Sequence, residues 1–163
     1  MEVNSLKKFT LITGLFLALL MVAPAASAQQ AGEPVEFETI AKQWISGQKE
    51  KLFLVIRTKR EWKAAWELVN GALSPKPDLP RVKFANHIVL AVFQGEKFTG
   101  GYDISVRRIT SNPDGTLTVF VRQTLNGGCP TGGALTQPYH VVKVKTVKEI
   151  TFVEEEPETR ECR

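Results

Sequence analysis

His87-Ile88-Val89-Leu90-Ala91-Val92-Phe93 is the stretch that decides the fold. Ile88, Leu90 and Val92 fall on one side of an extended chain, and Val89, Ala91 and Phe93 fall on the other. Both alternating faces are apolar, so both must be covered by protein. Seven residues suit a strand and are too few for a buried helix. The run therefore predicts a central strand sandwiched between two other layers.

Downstream, Tyr102, Ile104 and Val106 alternate with Asp103, Ser105 and Arg107, which predicts a strand with one wet face. The doubled Arg107-Arg108 before Ile109 breaks that register and marks a bulge or the strand's end. Asn112-Pro113-Asp114-Gly115 is a turn signal, after which Leu117, Val119 and Val121 continue the meander. Leu125 to Gly133 is glycine-rich, holds Cys129-Pro130 and reads as a long surface loop. Tyr139–Val144 and Glu149–Val153 close the chain as two strands, read as a hairpin across Lys145 to Lys148.

Upstream, Leu73 to Pro80 contains three prolines and reads as an irregular crossover. Before it lies the one clear helix, Thr58 to Asn70. Thr58 and Glu61 have the spacing of a capping box. Trp62, Ala65, Trp66 and Val69 recur at i, i+3, i+4 and i+7 and share one face. At that spacing the tryptophans read as core and not as a ligand-stacking platform. Gly71 is placed to end the helix in the left-handed conformation. Leu52–Ile56 reads as a buried strand, and Val35–Ile45 as a first strand with an irregular middle. The sum is an α+β, mostly β fold: an antiparallel sheet of about seven strands, curled into a sandwich or partial barrel, with one amphipathic helix. Leu54, Ile56, Leu90, Val92, Ile104, Val119 and Val142 are expected in the core with the two tryptophans.

The N-terminus carries an address. Lys7-Lys8, the apolar run Phe9 to Val22 and Ala26-Ser27-Ala28 have the layout of a signal peptide over residues 1–28, cleaved after Ala28. The run is shorter than the roughly 20 residues of a membrane span, so no membrane attachment is expected after cleavage. Residues 29–34 read as a loose leader and 35–162 as a single domain. The expected location is periplasmic or extracellular.

The whole chain has net charge +4, and losing Lys7, Lys8 and Glu2 leaves +3. The basic residues stand singly along the strands, without a run that would track phosphates, which argues against nucleic acid. Cys129 and Cys162 are the only cysteines. In an oxidising compartment a pair is expected to bridge, the alternative being two free thiols. A bridge would close a loop of roughly 34 residues and stabilise by about 3–4 kcal/mol in the chain-entropy model.

Catalytic patterns are missing. His87 and His140 stand alone on strands and read as satisfied core residues rather than catalysts. No metal-ligand spacing, nucleophile elbow or phosphate loop appears: Gly100-Gly101 and Gly127-Gly128 do not lead into a helix. No enzyme activity and no cofactor are expected. Two motifs stand out instead. Thr99-Gly100-Gly101-Tyr102 joins the central strand to the next, and Thr136-Gln137-Pro138-Tyr139-His140 enters the penultimate strand. Glycines allow close backbone approach and tyrosine is favoured at interfaces. Thr99, Gly100, Gly101, Tyr102, Pro138 and Tyr139 are therefore the candidate binding residues. The competing reading is a hairpin turn with a strand-initiating aromatic, and Tyr102 alternates onto the apolar side.

Ile88 to Gly95, followed by Thr99-Gly100-Gly101-Tyr102-Asp103-Ile104, resembles the PrcB C-terminal family. Cys129 and Ala134 to Val142 resemble that family's second block, and Trp62 and Trp66 fit its aromatic helix. The similarity spans roughly Leu52 to Val153. The family is named for an accessory subunit of a bacterial cell-surface protease complex, which stabilises or helps mature its protease partner. The resemblance implies an exported, non-catalytic module that binds a protein, such as a secreted protease. The alternative is a protease inhibitor presenting the Gly95–Tyr102 loop, and a hydrolase of unknown type is a third reading. Unlike the namesake, this chain has no lipid-anchoring cysteine at the cleavage point.

Overall fold

A computed structural model describes residues 32–162. The expected signal peptide lies outside them. In chain order the elements are β1 (Glu33–Pro34), β2 (Glu38–Gln43), β3 (Leu52–Ile56), α1 (Lys59–Val69), β4 (His87–Phe93), β5 (Asp103–Ser111), β6 (Leu117–Leu125), β7 (Tyr139–Lys145), β8 (Ile150–Glu154) and β9 (Glu158–Thr159). They form two sheets: one ordered β1-β5-β6-β8, with β9 also on β6, and one ordered β2-β7-β4-β3.

The decisive run is β4, and its two faces do what their composition requires. Ile88, Leu90 and Val92 join Ile104, Val106, Ile109, Val119, Val121 and Val142 in a core between the sheets. Val89, Ala91 and Phe93 join Trp62, Ala65, Trp66, Val69 and Val141 in a second core beneath the helix. The described residues form a three-layer stack of sheet, sheet and helix. Leu54 is only half-buried because β3 is an edge strand, while the other expected core residues are buried.

The helix begins as its sequence dictates. Thr58 Oγ1 accepts from the Glu61 N–H (3.2 Å), and the Glu61 carboxylate accepts from the Thr58 and Arg57 N–H groups (3.1 and 2.8 Å). Those bonds hold the Glu61 carboxyl below its usual range. The tryptophans are anchored as well as buried: Trp62 Nε1 donates to Pro80 O and Trp66 Nε1 to Pro77 O. The proline-rich crossover thereby satisfies the two polar atoms that the helix buries.

Three expectations are corrected. Glu33 and Pro34 are not loose leader but pair with Ser111 and Thr110. Gly71 does not end the helix at positive φ; its missing Cβ instead admits Gly47, whose Cα would lie 2.8 Å from a Cβ at Gly71. The final two strands are not a hairpin. The ladder positions on both sides of β7 are taken by β2 and β4, so the chain crosses to the other sheet and β8 pairs in parallel with β6. Of the bulge and the strand end that Arg107-Arg108 left open, the structure has the bulge, between Val106 and Arg108, and the irregular middle of the first strand is a shift between Thr39 and Ala41.

His140 links the sheets at these irregularities. The Val106 N–H donates to its Nδ1 (3.0 Å), so the proton sits on Nε2, which donates to Thr39 Oγ1 (2.9 Å). It is a satisfied core histidine. Burial, helped by the Lys42 cation and opposed by Asp103, pushes its pKa down to about 4.

Two measurements test this architecture. Trp66→Ala should cost about 3–5 kcal/mol in urea melts, as for any buried large aromatic; a loss under about 1 kcal/mol would place the helix face in solvent. For His140, the unfolded chain takes up a proton near pH 6.5 and the folded one only near pH 4. Stability is therefore full above about pH 6.5 and falls as pH drops towards 4, by on the order of 3 kcal/mol. His140→Gln should flatten that window relative to wild type, and equal slopes would show that His140 charges freely in the fold.

Candidate functional site

The loop after β4 and the loop between β6 and β7 meet at one end of the two sheets. Lys97 and Thr136 exchange backbone hydrogen bonds (Lys97 N–H to Thr136 O, 2.8 Å; Thr136 N–H to Lys97 O, 2.9 Å). Thr136 Oγ1 donates to Thr99 O (3.0 Å), and the Thr99 and Thr131 hydroxyls bond to each other. Asn126, buried at the exit of β6, donates from Nδ2 to Gly100 O (2.7 Å). The segment ending β2 is tied into the same cluster, since the Gln137 N–H donates to Trp44 O (3.0 Å). This end of the molecule is a set of cross-braced loops.

The bracing explains the glycines. Gly101 has φ +87, and a Cβ there would meet Asn126 Nδ2 at 2.7 Å. Gly100 lacks positive φ, and its Cβ would sit 3.5 Å from the Thr131 Cβ, an ordinary contact. Thr99, Gly100, Gly101 and Tyr102 are half-buried. Lys97 Nζ lies 5.8 Å from the centroid of the Tyr102 ring. Pro138 and Tyr139 are buried. Tyr139 packs on Phe93 in the helix-side core, where burial raises the pKa of its hydroxyl. The structure thus brings the two sequence motifs together at one end of the fold, and most of their side chains serve the scaffold.

The exposed groups at this end are neighbours of those motifs. Phe98 is 84% exposed, Trp44 56% and Leu135 51%. They flank the run Leu135 to Gln137, through Phe98's neighbour Lys97 on Thr136 and through Trp44 on Gln137. Trp44 also borders a groove of about 700 Å³ lined by Ile40, Trp66, Leu73, Pro77 and Tyr139. Nothing in the periodicity marked Phe98 or Leu135. The available signal was an apolar residue inside a loop otherwise rich in Gly, Thr and Lys.

Cys129 and Cys162 form a disulfide with Cα atoms 5.2 Å apart. It fixes the chain's tail to the same loop that carries Thr131. Among the described residues no group of three His, Cys, Asp or Glu side chains is placed to hold a metal ion, and no helix is long and apolar enough to cross a membrane.

With this geometry in place, comparison with known proteins gives one result. Residues 88–145 match the family described as PrcB C-terminal. The matched stretch runs from β4 through β7 and contains the loop cluster, so the resemblance of the two sequence blocks to that family is borne out. No curated protein and no solved structure matches the chain.

The glycines can be separated by stability. Gly101→Ala forces a side chain into positive φ, which costs about 1–2 kcal/mol, and pushes on the amide that satisfies Gly100 O, so a loss of about 2 kcal/mol or more is expected. Gly100→Ala should stay within about 0.5 kcal/mol, the range of an unstrained surface site. Equal effects in chemical denaturation would show that the turn places no special demand on residue 101.

Proposed function

We propose that this protein is an exported, non-catalytic binding module that engages a partner protein through the loop end of its sandwich, in the manner of an accessory subunit of a secreted protease. The observation that carries the reading is the set of exposed apolar side chains, Trp44, Phe98 and Leu135, held on hydrogen-bonded loops. Large apolar groups on a rigid platform lose little entropy when they dock, and aromatic residues dominate binding hot spots. The family match to a protease complex subunit supports the kind of partner. Export rests on the reading of residues 1–28.

A second reading is favoured by one detail. Phe98 stands midway along the braced Gly95–Tyr102 loop and is the most exposed large apolar side chain described. A rigid loop with a protruding side chain is also how an inhibitor enters a protease cleft.

Incubating the mature domain with exported proteases separates the two. A longer protease half-life or higher yield supports the accessory subunit, and stoichiometric loss of activity supports inhibition. Phe98→Ala should weaken the partner's affinity by more than about 1 kcal/mol with an unchanged melting temperature, because the ring makes few contacts within the fold. Unchanged affinity across Trp44→Ala, Phe98→Ala and Leu135→Ala would remove the loop end as the binding surface.

A further inference from the structure

The fold gathers at one place basic residues that the sequence spaces apart. Lys59 opens α1, Arg81 and Lys83 end the proline-rich crossover, and the three form the rim of a groove of about 520 Å³ floored by Trp62, Pro80 and Phe84. Lys145 and Lys148 lie at the same end. Lys145 pairs with His87 across the ladder, the Lys83 carbonyl accepts from the Asn86 and His87 N–H groups, and Arg57 donates to the Val147 and Lys148 carbonyls. Among the described residues Lys59, Arg60, Arg81, Lys83, Lys145 and Lys148 have no ion-pair partner, as is also true of Lys49, Arg57, Lys63, Lys97, Arg107 and Arg160, so it is their gathering at one end that matters. The residues lining the groove include no acid. The Glu61 carboxylate accepts from the Arg57 and Thr58 N–H groups and keeps its charge beside Arg60, and Glu38 pairs with Lys143 in a pocket that Glu36, His87 and Lys145 also line. Asp78, Glu36 and Glu149 remain as exposed carboxylates without an ion pair at this end.

We propose that this groove is a second binding site, which takes an acidic peptide segment of a partner protein with an apolar side chain seated against Trp62, Pro80 and Phe84. The concavity and its apolar floor fit a side chain, where a flat bilayer or a rod of phosphates would reach the rim alone. The charge of the rim selects acidic flanks and steers their approach. The occupant comes from another molecule. Residues 1–31 contain a single acid, Glu2, and the acidic tail is held elsewhere, with Glu154 on Lys51 and Glu155 on Arg108 and Arg122. The site is separate from the loop end and stands or falls independently of it.

The probe is a fluorescein-labelled peptide of Asp and Glu around one Leu, titrated with the mature chain by anisotropy, beside its Asn/Gln counterpart. The acidic peptide should bind saturably, and the neutral one at least about tenfold more weakly. Affinity should also fall when ionic strength is raised to about 0.5 M. The double variant Arg81→Glu/Lys83→Glu should lose at least about tenfold in affinity with an unchanged melting temperature, since both side chains are exposed. If that variant unfolds, Arg81→Gln/Lys83→Gln serves in its place. Equal binding of both peptides, or unchanged affinity in the folded double variant, overturns the proposal. So does binding to phosphatidylglycerol vesicles without binding to the peptide, which would make the groove's end a lipid-facing patch.

Discussion

Burial of β4 on both faces is the constraint from which the other elements take their places. Its even-numbered residues need one apolar layer and its odd-numbered residues need another. Only a strand in the middle of a sheet, with a second sheet on one side and a helix on the other, meets both demands. β7 shares the duty, with Val142 and Val144 facing the other sheet and Tyr139 and Val141 facing the helix. Because the two strands lie side by side over seven paired positions, they form a wall between the two cores. The amphipathic elements then sort by the side on which their single apolar face can be buried.

Much of this was legible in the sequence where a local rule coincided with a global need. The two-faced run at His87–Phe93 and the capping box at Thr58 and Glu61 each have one physical solution, and the fold adopts it; the register break at Arg107-Arg108 had two, of which the fold takes the bulge. Neighbour choice was less legible. The alternation in Glu149–Val153 tells which side chains are apolar, but not that β7 has no free ladder edge, so the hairpin reading failed. Gly71 shows a different gap. A glycine after a helix has two common uses, left-handed φ and close approach, and only the position of Gly47 selects between them.

The candidate site was legible as a place more than as a set of side chains. Thr99-Gly100-Gly101-Tyr102 and Thr136 to His140 are separated by the 33 residues 103–135, and their meeting depends on β4 pairing with β7. Composition singled out both motifs because braced turns need glycine and short hydroxyl side chains. The same need turns those side chains inward, which leaves Phe98 and Leu135 as the exposed groups. The basic end was illegible for a related reason. Lys59, Arg81, Lys83 and Lys145 are spread along the chain, and their convergence comes from where a helix start, a crossover and two strand ends are stacked.

The disulfide joins these themes, because it adds a covalent tie to an acidic tail otherwise held by ion pairs and parallel strand pairing. Exposed pairs are worth about 0–1 kcal/mol each, and parallel pairing of the five-residue β8 and the two-residue β9 with β6 supplies further attachment. The bond between Cys129 and Cys162 removes freedom from the unfolded chain whether or not those pairs persist. Its second effect is local. Cys129 lies three residues from Asn126 and two from Thr131, the groups that hold Gly100 and Thr99. Holding the tail therefore also limits the motion of the loop that braces the Phe98 segment, so the rigidity of this end originates partly in the last residues of the chain.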